Sequence, residues 1–129
     1  MYVADRGNCL VRQINLATRA VSTLAGSSCP ANAVTAIGTD GVGAFASFVD
    51  PTALTMTTTG DIYVGDGKSL RIVLVGGNVM TLDRSTNGGA LAGIAVSPDG
   101  TIVMASAGPS IYQWMPSTVG QVMGGVEFA

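Results

Sequence analysis

The stretch Asp61-Ile62-Tyr63-Val64-Gly65-Asp66, Gly67-Lys68-Ser69, Leu70-Arg71-Ile72-Val73-Leu74-Val75, Gly76-Gly77-Asn78, Val79-Met80-Thr81-Leu82 decides the fold. It reads as three short apolar strands separated by two tight turns, the second carrying the Gly and Asn that positive φ requires. Ahead of it, Asp50-Pro51-Thr52-Ala53-Leu54-Thr55-Met56 reads as one more strand, closed by a turn over Thr57 to Gly60. Four short antiparallel strands in a unit of about 40 residues make the blade of a β-propeller.

The same text recurs on both sides. Downstream, Leu91 to Val96 is a first strand and Ser97-Pro98-Asp99-Gly100 a turn with Pro preset for its first central position. Thr101 to Ala105, Ser110 to Trp114 and Gly120 to Met123 complete that copy. Upstream, Tyr2-Val3-Ala4-Asp5, Leu10 to Ile14 and Ala20 to Leu24 supply three strands, with the opening strand missing. The reading is all-β, a partial propeller with a truncated first blade at 1–26, a long inter-blade loop at 27–50 and a second blade at 51–83. A third blade follows at 90–124, and the tail at 125–129 looks like the start of another inter-blade loop. Each repeat buries its apolar face only by stacking on its neighbours, so a chain that starts within a repeat reads as a segment of a longer propeller.

Composition agrees with a folded segment. The chain is 47% hydrophobic and 11% charged, with a net charge of -2 and a mean hydropathy of +0.46, far from a disordered profile. No run of like charges marks a nucleic-acid or anionic-membrane surface, so nucleic acid is not expected as a partner. The most apolar region, Ala90 to Ala107, is interrupted by Ser97-Pro98-Asp99-Gly100, so no membrane segment is expected. The first residues lack the basic and apolar regions of a secretion signal. The reading leans to an extracellular or cell-surface parent.

The repeat residues resemble the NHL family of β-propellers. The resemblance is carried by Tyr2-Val3-Ala4-Asp5-Arg6-Gly7-Asn8, Val11-Arg12-Gln13-Ile14 and Asn15 to Gly26, and by the linker Gly38-Thr39-Asp40-Gly41-Val42-Gly43-Ala44-Phe45-Ala46-Ser47-Phe48-Val49-Asp50-Pro51-Thr52-Ala53-Leu54. It weakens in the third copy, where Ser106 replaces Asp and Gln113 replaces Arg. Propellers present many loops on two faces, so the expected function is a non-catalytic scaffold for a protein or glycan partner. The alternative is a fragment of a lyase-like or lactonase-like propeller enzyme whose catalytic and metal residues lie outside this chain.

Asp5 and Asp66 end second strands, and Arg12 and Arg71 lie in third strands, so each acid is expected to pair with the arginine of its own blade in a structural role. Candidate binding residues are Asp40, Gly41 and Gly43 in the long loop and Lys68 in the Gly65 to Ser69 turn. Phe45 and Phe48 are the expected anchors of that loop. Tyr2, Tyr63, Tyr112 and Trp114 read as packing between blades, while Asp40, Asp50, Asp99 and Lys68 read as solvated turn residues.

A regular hairpin about Ala17 would set Cys9 opposite residue 25, four positions short of Cys29. A disulfide needs the Cα atoms within about 7 Å; a loop folding back after Leu24 would close that gap, so a Cys9–Cys29 disulfide stands as the alternative to the favoured reading of two part-buried free thiols. The chain has no His, and its innermost strands offer Thr55 and Ser97 rather than acids, so neither a metal nor a cofactor is expected from this segment. The glycines of residues 38–43 lack the Lys and helix of a phosphate loop. Open blade edges make self-association an expected behaviour of the chain.

Overall fold

The computed structural model describes residues 1–32, 36–84, 89–106, 111–115 and 125–128. Its strands are β1 (Tyr2–Asp5), β2 (Leu10–Ile14), β3 (Val21–Ala25), β4 (Gly41–Val42), β5 (Pro51–Met56) and β6 (Ile62–Asp66). They continue as β7 (Ser69–Val73), β8 (Asn78–Asp83), β9 (Leu91–Val96), β10 (Ile102–Ser106), β11 (Ile111–Trp114) and β12 (Gly125–Phe128). Every pairing is antiparallel. The sheets run β1-β2-β3, β5-β6-β7-β8 with β4 on its outer edge, and β9-β10-β11-β12. The fold is all-β, a partial β-propeller.

Turn chemistry sets these hairpins. Asn15 accepts the backbone N–H groups of Ala17 and Thr18 at 3.0 and 3.1 Å, nucleating the β2–β3 turn. The β7–β8 turn uses Gly76 and Gly77 at φ 100 and 90, a region a β-branched residue avoids. The Thr57 and Ser97 hydroxyls each accept a backbone N–H four residues on, from Asp61 and Thr101, closing the first turn of their blades in the same way.

Packing explains why the second copy reads most clearly in the sequence. Ile62 and Val64 face a core with Val11, Ala25, Phe48, Val73 and Val79 on the side of the first blade. Tyr63, Leu70 and Ile72 face Leu91, Ile102, Tyr112 and Trp114 on the side of the third. The second blade is covered on both faces, so β6 is buried at every position, whereas β3 is exposed over Val21 to Thr23. Continuous apolar strands follow from two-sided burial. Trp114 is 1% exposed and meets Tyr63 edge to face with centroids 6.1 Å apart.

Three expectations change. The stretch at 125–129 is not the start of a loop: Gly125–Phe128 pairs with β11 as the fourth strand of the third blade. The strand expected at Gly120 to Met123 lies outside the described residues. The segment at 27–50 is not a plain surface loop, since Gly41 and Val42 pair with Val79 and Asn78 and so add a fifth strand to the second blade. A 3-10 turn over Gly43–Phe45 follows, and of the two expected anchors only Phe48 is buried, while Phe45 is 87% exposed. The turn aims Phe45 outward, and the chain then runs extended through Ala46, which enters the core with Phe48.

Candidate functional site

The acids and arginines of the repeat pair within their blades, but in two different environments. In the first blade Arg12 Nε donates to Asp5 Oδ2 at 3.1 Å and another guanidinium nitrogen donates to Thr23 Oγ1 at 2.7 Å. This pair is partly open to solvent. Hydrogen bonds from Asn8, then from Arg12, hold the Asp5 carboxyl below the usual carboxylate value.

In the second blade the pair is buried, each side chain 1% exposed. Arg71 donates to Asp66 Oδ2 at 2.8 Å and to the Ser47 carbonyl at 3.1 Å through one nitrogen. Its other terminal nitrogen donates to the Thr39 carbonyl at 2.9 Å and to Asp40 Oδ1 at 3.1 Å. The second oxygen of Asp66 accepts the backbone N–H groups of Val49 and Asp50 at 2.8 and 2.7 Å. The guanidinium carbon lies 5.2 Å from the centre of the Phe48 ring, within cation-π range. One acid and one arginine of the repeat thereby hold the linker at Thr39, Asp40, Ser47, Val49 and Asp50.

The expected binding residues of the linker each contact the second blade or the 3-10 turn beside it. Asp40 accepts from Arg71 and, at 2.7 Å, from Thr81; burial opposes its ionisation, and the bonds from Thr81 and Arg71 outweigh that and hold its carboxyl low. Gly41 pairs with Val79, and a Cβ there would stand 2.9 Å from the Phe45 carbonyl. Gly43, at φ 56, accepts from the Gly26 N–H at 3.1 Å and donates to the Gly77 carbonyl at 2.9 Å. These three residues fasten the linker to the blades. Asp50 is likewise engaged, by a forked pair from Arg6 at 2.5 and 3.2 Å.

The cysteines take the less favoured of their two expected states. Cys9 and Cys29 form a disulfide with Cα atoms 5.1 Å apart, where the sequence favoured free thiols. The hairpin is irregular: a bulge between Val11 and Arg12 shifts the register so that Val11 lies opposite Ala25. Gly26, at φ 106, then turns the chain against the Cys9 carbonyl, close enough that a Cβ would stand 2.7 Å from its oxygen. That turn returns Cys29 to Cys9.

A cleft of about 650 Å³ opens on the face that carries the β1–β2 and β6–β7 turns. Arg6, Asp50, Lys68 and Arg84 line it with the Gly67–Ser69 turn, and Ile37, Val49 and Ala90 supply apolar wall. It joins turns of two blades to both inter-blade connections. Lys68 is the one expected binding residue that reaches it. Arg6, Ile37 and Arg84 escaped the sequence reading; the available signal was that the chain has only six cations, two of which, Arg6 and Arg84, directly follow an acid that ends a strand. A smaller cleft of about 260 Å³ lies on the opposite face beside Met56, Thr57, Tyr63 and Ser97.

No known protein family's sequence profile matches the chain, and no curated protein matches it. Among solved structures, a structural-genomics protein of unknown function from Bacteroides thetaiotaomicron has a similar fold, with a TM-score of 0.71 and 22% sequence identity. The match covers 87% of this chain and 31% of that one. The chain thus spans about a third of the length of the protein it resembles. Among the described residues, no helix is long and apolar enough to cross a membrane.

Proposed function

We propose that the chain is a segment of an NHL-type propeller that serves as a non-catalytic scaffold, and that a protein partner docks in the cleft between the β1–β2 and β6–β7 turns. The observation that carries this reading is the cleft itself, an open concavity walled by several elements and holding exposed charged side chains beside apolar ones, the mixture that binding sites use for orientation and affinity. The residues around it support the same role. Asp66 and Arg71 hold one wall from behind, and the disulfide ties Cys9, next to the β1–β2 turn, to the linker, so the concavity is prepared before a partner arrives. A structural disulfide also fits an oxidising, extracellular setting.

Panning a random peptide library against the immobilised chain tests the proposal. Enriched peptides should bind the chain and lose binding to Ser69→Trp, whose indole would fill the cleft. Equal binding to both forms would move the docking surface elsewhere.

A further inference from the structure

The first blade carries a second copy of the site that holds the linker, on its face turned away from the second blade. Val64, Arg71 and Thr81 lie side by side across β6, β7 and β8; Val3, Arg12 and Thr23 lie side by side across β1, β2 and β3. The register of the outer strand shifts at the same place in both blades, just before the arginine. Each arginine binds the acid that ends the preceding strand, Arg71 to Asp66 at 2.8 Å and Arg12 to Asp5 at 3.1 Å. Val11, next to Arg12 on β2, packs into the core shared with Ile62 and Val64, so strand alternation puts Arg12 on the opposite face. The third blade has Gln113 in the arginine's place, opposite Val103 and Val126. The connection entering that blade is short, residues 84–90, whereas the one entering the second blade runs over residues 26–50. The row of arginine and threonine beside an acid thus accompanies a long connection.

The two copies of the site differ in what covers them. Arg71 and Val79 are 1% and 0% exposed, whereas the side chain of Arg12 is 31% exposed and Val21, the counterpart of Val79, is 60% exposed. The cover of the second blade is the linker: Asp40 bridges Arg71 and Thr81, backbone N–H groups reach Asp66, and the Phe48 ring lies against the guanidinium. In the first blade exposed side chains take those places. The Asn8 amide donates to both oxygens of Asp5 at 2.9 Å, where Asp66 accepts backbone N–H groups. The Thr23 hydroxyl accepts from Arg12 at 2.7 Å, where Thr81 donates to a carboxylate. Pairing with the acid of its own blade does not exhaust such an arginine, because Arg71 serves Asp66 and Asp40 together. The outer edge of β3 also carries no strand among the described residues, whereas that of β8 carries β4.

We infer that this face of the first blade binds an extended linker contributed by a neighbouring blade, with the chemistry of residues 38–50. A carboxylate of that segment meets Arg12 and Thr23, its backbone N–H groups replace Asn8 on Asp5, and an aromatic ring rests on the Arg12 guanidinium. The face lies on the far side of the first blade from the second and does not depend on a partner docking in the cleft.

Nuclear magnetic resonance on the full, isotope-labelled chain tests the inference with an unlabelled peptide of residues 38–50, titrated to millimolar concentration. Saturable shifts are expected at the Arg12 Nε–H, the Asn8 side-chain amide and the backbone of β1 to β3. Arg12→Met should weaken binding by at least about tenfold, as expected for lost hydrogen bonds from a charged donor. Replacing Phe48 by Ala in the peptide should weaken it by about two- to fivefold, the range of an exposed cation-π contact. A peptide of the same residues in scrambled order should give no saturable shift.

No saturable shift with the residue 38–50 peptide, or equal shifts with the scrambled one, would overturn the inference. Shifts confined to Arg71, Val49 and Asp50 would overturn it as well, since the peptide would then be displacing the linker already held by the second blade. If sedimentation shows the chain alone to dimerise and Arg12→Met returns it to a monomer, the occupant is a second copy and the linker reading falls.

Discussion

Arg71 and Arg12 occupy the same place in successive repeats, and replacing each by Met should have very different effects. At Arg71 the substitution removes four hydrogen bonds, to Asp66, Ser47, Thr39 and Asp40, and strands the buried Asp66 carboxylate without its counter-ion. Breaking a buried pair by removing one partner costs about 3–5 kcal/mol. At Arg12 the pair is partly open to water, so the loss is about 0.2–1 kcal/mol. With roughly 4 °C per kcal/mol for a chain of this size, Arg71→Met should lower Tm by about 12–20 °C and Arg12→Met by less than about 4 °C. Thermal and urea unfolding followed by the fluorescence of Trp114, the chain's single tryptophan, measure the Tm shifts and the free-energy losses of both variants.

Hydrogen exchange supplies the second half of that test. Because Asp66 and Arg71 hold the linker, Arg71→Met should speed exchange at Val49 and Asp50 and across residues 38–48, while Arg12→Met leaves them protected. Asp66→Asn combined with Arg71→Met should cost about 1–3 kcal/mol less than the sum of the single changes, since each relieves the charge the other abandons. Equal losses at Arg71 and Arg12, or unchanged linker protection in Arg71→Met, would refute the buried clamp.

Reduction of the Cys9–Cys29 bond, which closes a span of 20 residues, should cost about 3 kcal/mol by the chain-entropy account, read as a fall in Tm with dithiothreitol that Cys9→Ala/Cys29→Ala reproduces. The carboxyls of Asp5, Asp40 and Asp99 are all held below 3.8. The folded state therefore binds fewer protons than the unfolded chain around that value, and their stabilisation is present above it and lost as pH falls through the folded pKa values. Urea midpoints should accordingly decline below about pH 4, with Asp40→Asn showing a shallower decline than the parent. Phe45→Ser should stay within about 0.5 kcal/mol of the parent because the ring is solvated, whereas Phe48→Ala should cost about 3–5 kcal/mol; similar losses at both sites would contradict the outward turn of Phe45.

The sequence by itself determined the blades. Alternating apolar strands and turn residues are local properties, and in the second repeat burial on both faces writes them without interruption, so β5 to β9 were legible to within about two residues. Asp66 and Arg71 were legible as a pair because both belong to one hairpin. Only the tertiary structure decided the linker, the disulfide and the cleft. The linker's register against β8, the bulge that brings Cys29 to Cys9, and the meeting of Arg6, Lys68 and Arg84 all join residues far apart in the chain. Such contacts leave no periodicity behind. They are fixed by how neighbouring blades stack, and that stacking straps the linker to the second blade and places the cleft beside it.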